Sequence, residues 1–353
     1  MNMEITTRTT YIDFLRVFAT FAVVILHVAA TNFYATDVNG FTWHVFNFFD
    51  SIVRWCVPIF VMISGALFLN KNVSVKKIYT KYVLRILMAF LLWSGIYLMF
   101  NTNQVVSVSY AINSILKGYY HMWFIMMIIG IYMCIPLFKT ITQEGDDLVK
   151  YYLLLSFIFV SFMPTVSLLS ADFFGNFITN IVSSINSIMN SMSMNIVFGF
   201  GGYFVLGYYL DKISISAKHR KYLYILGIIG FVSTILLDAA CAIKTQKACV
   251  KYYSYFRLNV LLESIAVFVW FKYRNYVHVR TLPLIAKLAK WSFGAYLVHV
   301  LVLEQLVQKY FNLYTISFNP LVSVLAISFI VCTISFVVSG LLHKIPIVNK
   351  YMV

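Results

Sequence analysis

The chain has 353 residues, of which 61% are hydrophobic and only 11% are charged. Soluble domains carry about 25% charged residues, so this composition excludes an ordinary soluble protein and predicts an integral membrane protein. A formal net charge of +15 would suggest nucleic-acid binding in a soluble domain. In a multi-pass protein Lys and Arg collect in cytoplasmic loops instead, so we expect no nucleic-acid partner.

The apolar segments have the length that a bilayer requires. A bilayer core of about 30 Å takes roughly 20 helical residues, and only helices or closed barrels satisfy the backbone there. The segments lack the short alternation of a barrel, so the predicted fold is all-α and polytopic, about ten transmembrane helices in one domain over residues 1–353 without an appended soluble domain. The predicted spans are about 11–31, 44–69, 80–100, 121–139, 150–168, 193–210, 221–240, 257–272, 291–309 and 321–343.

The basic residues predict the orientation of these spans. With the N-terminus inside, 18 Lys and Arg fall in cytoplasmic segments and five in outer loops, which favours N-in and C-in. Three of the five outer lysines lie between Cys241 and Phe256; this cluster either marks an anionic partner or reflects ordinary tolerance. The polar segment 171–190 is expected outside, as a loop or a surface helix.

The cysteines indicate no metal site. None of the five is spaced like a metal-ligand motif with another Cys or a His. Cys241 and Cys249 share a predicted outer loop, where they form either a disulfide or a pair of free thiols.

The first span, "YIDFLRVFATFAVVILHVAA", contains Asp13, Arg16 and His27. At 100° per residue the three side chains lie on one stripe, and His27 lies about 16 Å along the axis from Arg16. A charge at the membrane centre costs at least ~2.5 kcal/mol, so such residues usually face a partner or a watery cavity. The stripe therefore predicts the wall of a polar path. The alternative is an Asp13–Arg16 ion pair at the interface, with His27 bonded to a neighbouring carbonyl.

Polar side chains recur in the later spans. In chain order they are Asp50, Arg54, Ser64 and Gly65 in the second span, Lys81 and Arg85 in the third, His121 and Trp123 in the fourth, Arg257 at the eighth, and His299 and Glu304 in the ninth. Ion pairing, helix packing, snorkelling and an aromatic belt are the structural alternatives. So many ionisable groups nevertheless indicate a functional cavity.

Four segments resemble, in order and spacing, the membrane acyltransferase 3 family: "IDFLRVFATFAVVILHV", "RWCVPIFVMISGALFL", "HMWFI" and "SFGAYLVHVLV". Within the family the chain looks most like enzymes that O-acetylate enterobacterial common antigen or O-antigen sugars. The resemblance covers essentially the full length. It implies transfer of an acetyl group from cytoplasmic acetyl-CoA to a hydroxyl of a cell-surface or polyprenyl-linked glycan, across the inner membrane of a bacterium.

The resemblance also implies site residues. The first-span arginine and histidine of the family correspond to Arg16 and His27, and its second-span Ser-Gly to Ser64 and Gly65. Of the two arginines that usually begin the third span only Arg85 matches, and Tyr82 stands in the other position.

Acyl transfer needs a base or acyl carrier, a binder for the donor phosphates and stabilisation of an oxyanion. His27 is expected in the first role, as general base or as a transient acyl-imidazole, with Asp13 orienting Arg16. The residues expected around the donor, together with Arg16, are Lys76, Lys77, Lys81, Arg85, Ser64 and Gly65. The residues expected around the acceptor are Arg54, His121, Trp123, Arg257, His299 and Glu304.

Two other classes of function compete with this interpretation. A chain with charged groups at membrane depth could export a polysaccharide or flip a lipid-linked sugar, and a scaffold of a glycan assembly complex would not need His27. Acetyl-CoA dependence separates the transferase from both.

Overall fold

The computed structural model describes residues 2–101, 107–276 and 279–352, and these residues form helices and connecting turns without a strand. The helices are, in chain order, α1 (Asn2–Ala30), α2 (Phe41–Ser51), α3 (Cys56–Phe68), α4 (Val75–Asn101), α5 (Val108–Lys117), α6 (Tyr120–Met133), α7 (Ile135–Gln143), α8 (Asp146–Phe173), α9 (Asn176–Ser191), α10 (Asn195–Lys212), α11 (Ala217–Thr245), α12 (Leu258–Lys272), α13 (Leu282–Tyr310), α14 (Pro320–Leu342) and α15 (Pro346–Tyr351). The predicted all-α class is confirmed for this part of the chain.

Among the described residues, eight helical segments are long and apolar enough to cross a membrane, and a ninth is the pair α5 and α6, which meet at 44°. They make the chain a multi-pass membrane protein. Ten spans were predicted, and the one at 193–210 corresponds to α10, which is not among the nine. Its Gly, Tyr, Asp and Lys residues reduce its hydropathy. The span predicted at 121–139 is also interrupted, because α6 ends at Met133 and α7 begins at Ile135.

The second span is broken between α2 and α3. Pro58 has no N–H to bond the carbonyl of Arg54, and its ring crowds that carbonyl, so a continuous helix is disfavoured here. The backbone turns tightly instead: the N–H of Arg54 donates to Ser51 and the N–H of Cys56 to Val53. The break places Arg54 inside the bundle rather than on a regular helical face.

Close backbone contact joins α3 to α10. A Cβ at Gly65 would lie 1.8 Å from the carbonyl oxygen of Phe204, and one at Gly207 would lie 2.1 Å from that of Met62. Small residues at a crossing allow membrane helices to approach closely, and van der Waals packing then stabilises the pair.

The chain begins and ends at the same end of the bundle, which we call the Tyr11 end. The Tyr11 hydroxyl donates to Asp211 at 2.5 Å. Arg85, in the first half of α4, donates to the carbonyl of Asn349 in α15 at 3.4 Å. This end therefore gathers the N-terminal halves of α1 and α4 with the C-terminal helix.

The opposite end, which we call the disulfide end, carries the Cys241–Cys249 bond. Of the two alternatives for these cysteines the structure has the disulfide. Two lysines of the same loop contact one acidic residue: Lys244 donates to the Asp172 carbonyl at 2.8 Å and Lys251 pairs with its carboxylate at 3.0 Å. Helix α9 lies largely exposed here, in agreement with a surface helix over 171–190.

Candidate functional site

A cavity of about 310 Å³ lies between α1, α3, α4, α6 and α13 toward the Tyr11 end. Its walls are mainly apolar and aromatic. The polar residues that line it are Arg16, Ser64, Tyr82, Arg85, Tyr132, Lys290, Ser292 and Tyr296. Three cations around one mostly apolar cavity suit an amphiphilic ligand with anionic groups at one end.

One wall of this cavity holds Arg16 from the first span and Ser64 from the second, two of the four residues that the family motifs place in these spans. The Ser64 hydroxyl donates to the carbonyl of Phe60 at 3.0 Å and lies 3.3 Å from the Tyr132 hydroxyl. Tyr132 in turn is close enough to Arg16 for electrostatic interaction. Arg16 and Ser64, distant in sequence, therefore line the same cavity.

Asp13 lies near both Arg16 and Lys290. Within the described residues it forms no ion pair with either, so its influence on Arg16 is through-space electrostatics and not a hydrogen bond. Lys290 was not among the predicted site residues. Lys290 lies immediately before the ninth predicted span and two residues before Ser292. This position could have identified it as a site residue.

The residues predicted around the donor separate into two groups. Arg85 lines the cavity. The three lysines before it lie exposed on the surface and do not line this cavity, namely Lys76, Lys77 and Lys81. Gly65 also lies elsewhere, because it faces the backbone of α10 at Phe204.

Three histidines from three helices meet farther along α1. The His27 ring centroid lies 5.0 Å from that of His299 and 6.2 Å from that of His121, and His121 lies 5.3 Å from His299. Gly118, with φ of +71°, ends α5 and allows the turn that brings His121 to the first turn of α6. We call His27, His121 and His299 the histidine cluster.

Within the histidine cluster, His27 is the most accessible member. His121 and His299 are 2% and 0% exposed, whereas the His27 side chain is only partly buried. His299 Nδ1 bonds the Tyr296 carbonyl at 2.5 Å, and its Nε2 is buried without a hydrogen-bond partner among the residues that the structure describes. Across the described residues no group of His, Cys, Asp and Glu has an arrangement that could hold a metal ion.

Tyr296 lies between the cavity and the histidine cluster. It lines the cavity, and its ring lies 5.6 Å from His121 and 5.7 Å from His299. Its hydroxyl donates to the His121 carbonyl at 2.6 Å. Because His27 does not line the cavity, Tyr296 marks the boundary between the cationic and the histidine parts of the site.

Glu304 approaches the other side of the histidine cluster. It lies in a π-helical stretch of α13, Val302–Tyr310, a backbone form often found at functional sites. Its carboxylate accepts from the Tyr119 hydroxyl at 2.6 Å, and the Tyr119 ring lies 5.9 Å from His121. The neighbouring Tyr120 ring lies 5.7 Å from His27.

Arg54 is held by structural partners. It forms an ion pair with Asp50, and its guanidinium lies 3.9 Å from the ring centroid of Tyr253. Its side chain is 14% exposed. It is near enough to His27 for electrostatic interaction, so it contributes positive potential to the cluster while remaining paired.

The structure does not bring the last two predicted acceptor residues into the histidine cluster. Trp123 is 43% exposed and stacks on Tyr255 at 5.8 Å. Arg257 donates to the Pro164 carbonyl at 3.0 Å and lines a different cavity.

A family model described as an acyltransferase domain, that of the membrane acyltransferase 3 family, matches residues 9–340, nearly the whole chain. The chain belongs to this family, which identifies it as a membrane acyltransferase. No curated protein and no solved structure matches the chain. The family membership does not favour the alternative of an exporter or flippase.

Proposed function

We propose that the protein is an O-acetyltransferase of the bacterial inner membrane. It takes an acetyl group from cytoplasmic acetyl-CoA and delivers it to a hydroxyl of a cell-surface or lipid-linked glycan on the extracytoplasmic side. One observation carries the proposal: in a chain of an acyltransferase family, a cavity with three cations meets the histidine cluster at Tyr296.

The cavity suits the donor. Coenzyme A carries several phosphates, and Arg16, Arg85 and Lys290 provide cations for charge-assisted hydrogen bonds to them. The rest of the cavity lining is apolar and aromatic, which suits the extended and less polar arm of coenzyme A. The acetyl thioester would pass Tyr296 to reach the histidine cluster.

The reaction breaks the thioester C–S bond and forms an ester C–O bond. The hydroxyl of the acceptor loses its proton and the departing thiolate gains one. His27 is the residue that can move this proton, since it is the least buried member of the cluster and a neutral imidazole has one ring nitrogen that accepts a proton. As a nucleophile it would instead carry the acetyl group as an acyl-imidazole.

The disulfide supports the proposed orientation. Cys241–Cys249 lies at the opposite end of the bundle from Tyr11. Disulfides persist in oxidising compartments such as the bacterial periplasm. The disulfide therefore supports an orientation in which the disulfide end is extracytoplasmic and the cationic cavity opens toward the cytoplasm.

The test is transfer of radiolabelled acetyl from acetyl-CoA to surface or lipid-linked glycan. Membranes would carry the wild type, His27→Ala or His219→Ala at matched expression. His219 is an exposed histidine at the start of α11 and serves as the control. We expect label with the wild type and the control, and none above background with His27→Ala.

Equal label with His27→Ala would remove His27 from the chemistry. No label with the wild type, together with acetyl-CoA-independent movement of a glycan, would overturn the proposal in favour of export. Alanine at His121, His299 or Glu304 tests the acceptor side, and unchanged transfer and acceptor choice in all three would place the acceptor elsewhere.

A further inference from the structure

Two cavities outside the site just described follow α8, the span that is least covered by the rest of the protein. Only 22% of its apolar window is buried, the lowest share among the eight candidate spans of the described chain. The first cavity, of about 320 Å³, extends from Lys150 to Val160. The second, of about 430 Å³, extends from Val160 to Ala171. Both are lined by Val160, so they adjoin at this residue, and we call the two cavities together the α8 groove.

The α8 groove runs across the membrane. Lys150 and Ala171 are separated by about 30 Å along the helix axis at 1.5 Å per residue, which matches a bilayer core of about 30 Å. A π-helical stretch, Phe157–Phe162, lies in the middle of α8. The groove is therefore open to lipid over most of the depth of the bilayer.

The two halves of the groove differ in chemistry. The half toward Lys150 is lined mainly by apolar side chains of α8, α10 and α12, such as Leu154, Leu206 and Leu261. The half at the disulfide end is lined by Ser167, Asn186, Asn190, Asn195, Ser254 and Arg257.

The polar half has hydrogen-bonding capacity that the protein does not use. The Asn186 side-chain oxygen is buried without a partner within the described residues. Buried polar groups are normally hydrogen-bonded, so a ligand that carries hydroxyl groups would supply the hydrogen bond that this atom lacks. Arg257 adds a cation at the same place.

A row of aromatic rings extends from the polar half of the α8 groove toward the histidine cluster. Phe256 lines the polar half and lies 4.8 Å from Phe200, which is 6.0 Å from Trp123. Trp123 stacks on Tyr255, and Tyr255 lies beside Arg54. Arg54 is close enough to the histidine cluster to interact with His27.

We propose that the α8 groove binds an isoprenoid-linked sugar phosphate and presents it to the histidine cluster. The chain occupies the apolar half, and the sugar and phosphate occupy the half with the asparagines and Arg257. The aromatic row supports the sugar on its way to His27. This assignment rests on the proposed function, because it takes a glycan to be the acceptor. It gives Trp123 and Arg257 a role outside the histidine cluster.

The test uses an isoprenoid diphosphate that carries N-acetylglucosamine and a photoreactive diazirine in its chain. The full-length protein in lipid nanodiscs is irradiated with a sub-saturating concentration of this probe, and crosslinked peptides are identified by mass spectrometry. We expect the crosslinks to concentrate on α8, α10 and α12. Crosslinks spread evenly over all lipid-facing helices would overturn the assignment.

A blocking substitution adds a matched comparison. Leu154 lines the apolar half and is 53% exposed, so Leu154→Trp fills the groove without entering the core. Leu236→Trp on α11, where the side chain is 60% exposed and does not line the groove, is the control. We expect crosslinking to fall about tenfold with Leu154→Trp, equivalent to about 1.4 kcal/mol, and to stay unchanged with Leu236→Trp. Equal crosslinking in the two variants would overturn the proposal.

The polar half is tested with Asn190→Ala against Asn180→Ala, an exposed asparagine of the same helix outside the groove. Loss of one hydrogen bond should weaken binding of the sugar-bearing probe by about threefold. Binding of an isoprenoid phosphate without sugar should not change. A similar loss for both probes would contradict the placement of the sugar.

These measurements separate the two proposals. Crosslinking reports binding without acetyl transfer, so a wild type that binds the probe in the groove but transfers no acetyl overturns only the proposed function. A wild type that acetylates a glycan but shows no binding preference for the groove overturns only this inference.

Discussion

Arg16 and His27 lie on the same helix but belong to two different environments. Arg16 faces a cavity that also holds Arg85 and Lys290, whereas His27 contacts two other histidines. The separation of about 16 Å along the helix axis would place the proposed donor binding and the proposed acetyl transfer at different depths. At the residue scale, α1 therefore connects the two halves of the site, and Tyr296 separates them.

The cationic cavity leads to a prediction for donor affinity. Arg85→Gln and Lys290→Gln should each weaken binding of CoA about tenfold or more, because each removes a charge-assisted hydrogen bond worth about 1.5–3 kcal/mol. Isothermal titration of the purified protein with CoA measures the effect.

The control for donor affinity is Lys71→Gln, which removes a cation from an exposed position that does not line the cavity. A net-charge effect alone would weaken CoA binding equally in all three variants. Such a result would place the donor outside the cavity.

At the scale of elements, two features of the second span determine the positions of its side chains: the break before Pro58 and the close helix contact at Gly65. Pro58 disfavours a continuous helix, and Arg54 lies at the break, paired with Asp50 and beside Tyr253. Gly65 then brings α3 onto the backbone of α10. The motif "PIFVMISG" therefore contributes three cavity residues, Phe60, Ile63 and Ser64, and one packing residue, Gly65.

The α3–α10 contact predicts a stability change. Gly65→Ala places a methyl group 1.8 Å from the Phe204 carbonyl oxygen, so the helices must separate, at a cost of about 1–3 kcal/mol, the usual range for overpacking. The melting temperature in detergent should fall accordingly.

Gly95→Ala on α4 is the matched control, because a Cβ at Gly95 meets nothing within 4 Å. Its melting temperature should stay the same or rise slightly, since Ala favours a helix more than Gly. If both variants melt like the wild type, the contact at Gly65 is not as close as the structure shows it.

At the scale of the whole molecule, the chain has two chemically different ends. The Tyr11 end has the cationic cavity and the exposed lysines before Arg85, and the disulfide end has Cys241–Cys249 and α9. With the excess of basic residues predicted inside, the Tyr11 end should face the cytoplasm.

Labelling of single introduced cysteines checks this topology in a Cys134→Ser background. Tyr34→Cys, at a side chain 70% exposed near the disulfide end, should react with a membrane-impermeant maleimide in intact cells. Lys71→Cys, exposed at the Tyr11 end, should react only after the cells are permeabilised. The reverse pattern would invert the orientation and place the cationic cavity away from cytoplasmic acetyl-CoA.

Much of this protein follows from the sequence by itself. Composition predicts the membrane class, runs of apolar residues predict most of the helices, and the spacing of Arg16 and His27 places both on one stripe. These properties are local, because hydropathy and a period of 3.6 residues need only neighbouring residues. The same local reasoning passed over the interruption at Cys134, where α6 ends at Met133 and α7 begins at Ile135.

Only the tertiary structure decided which distant residues meet. His27, His121 and His299 come from three helices, and Lys290 and Tyr132 join Arg16 from two more distant parts of the chain. No local pattern contains these contacts, since they depend on how each helix is rotated and crossed against its neighbours. That arrangement comes from close packing at positions such as Gly65 and Gly207, which only the assembled bundle brings against their partners.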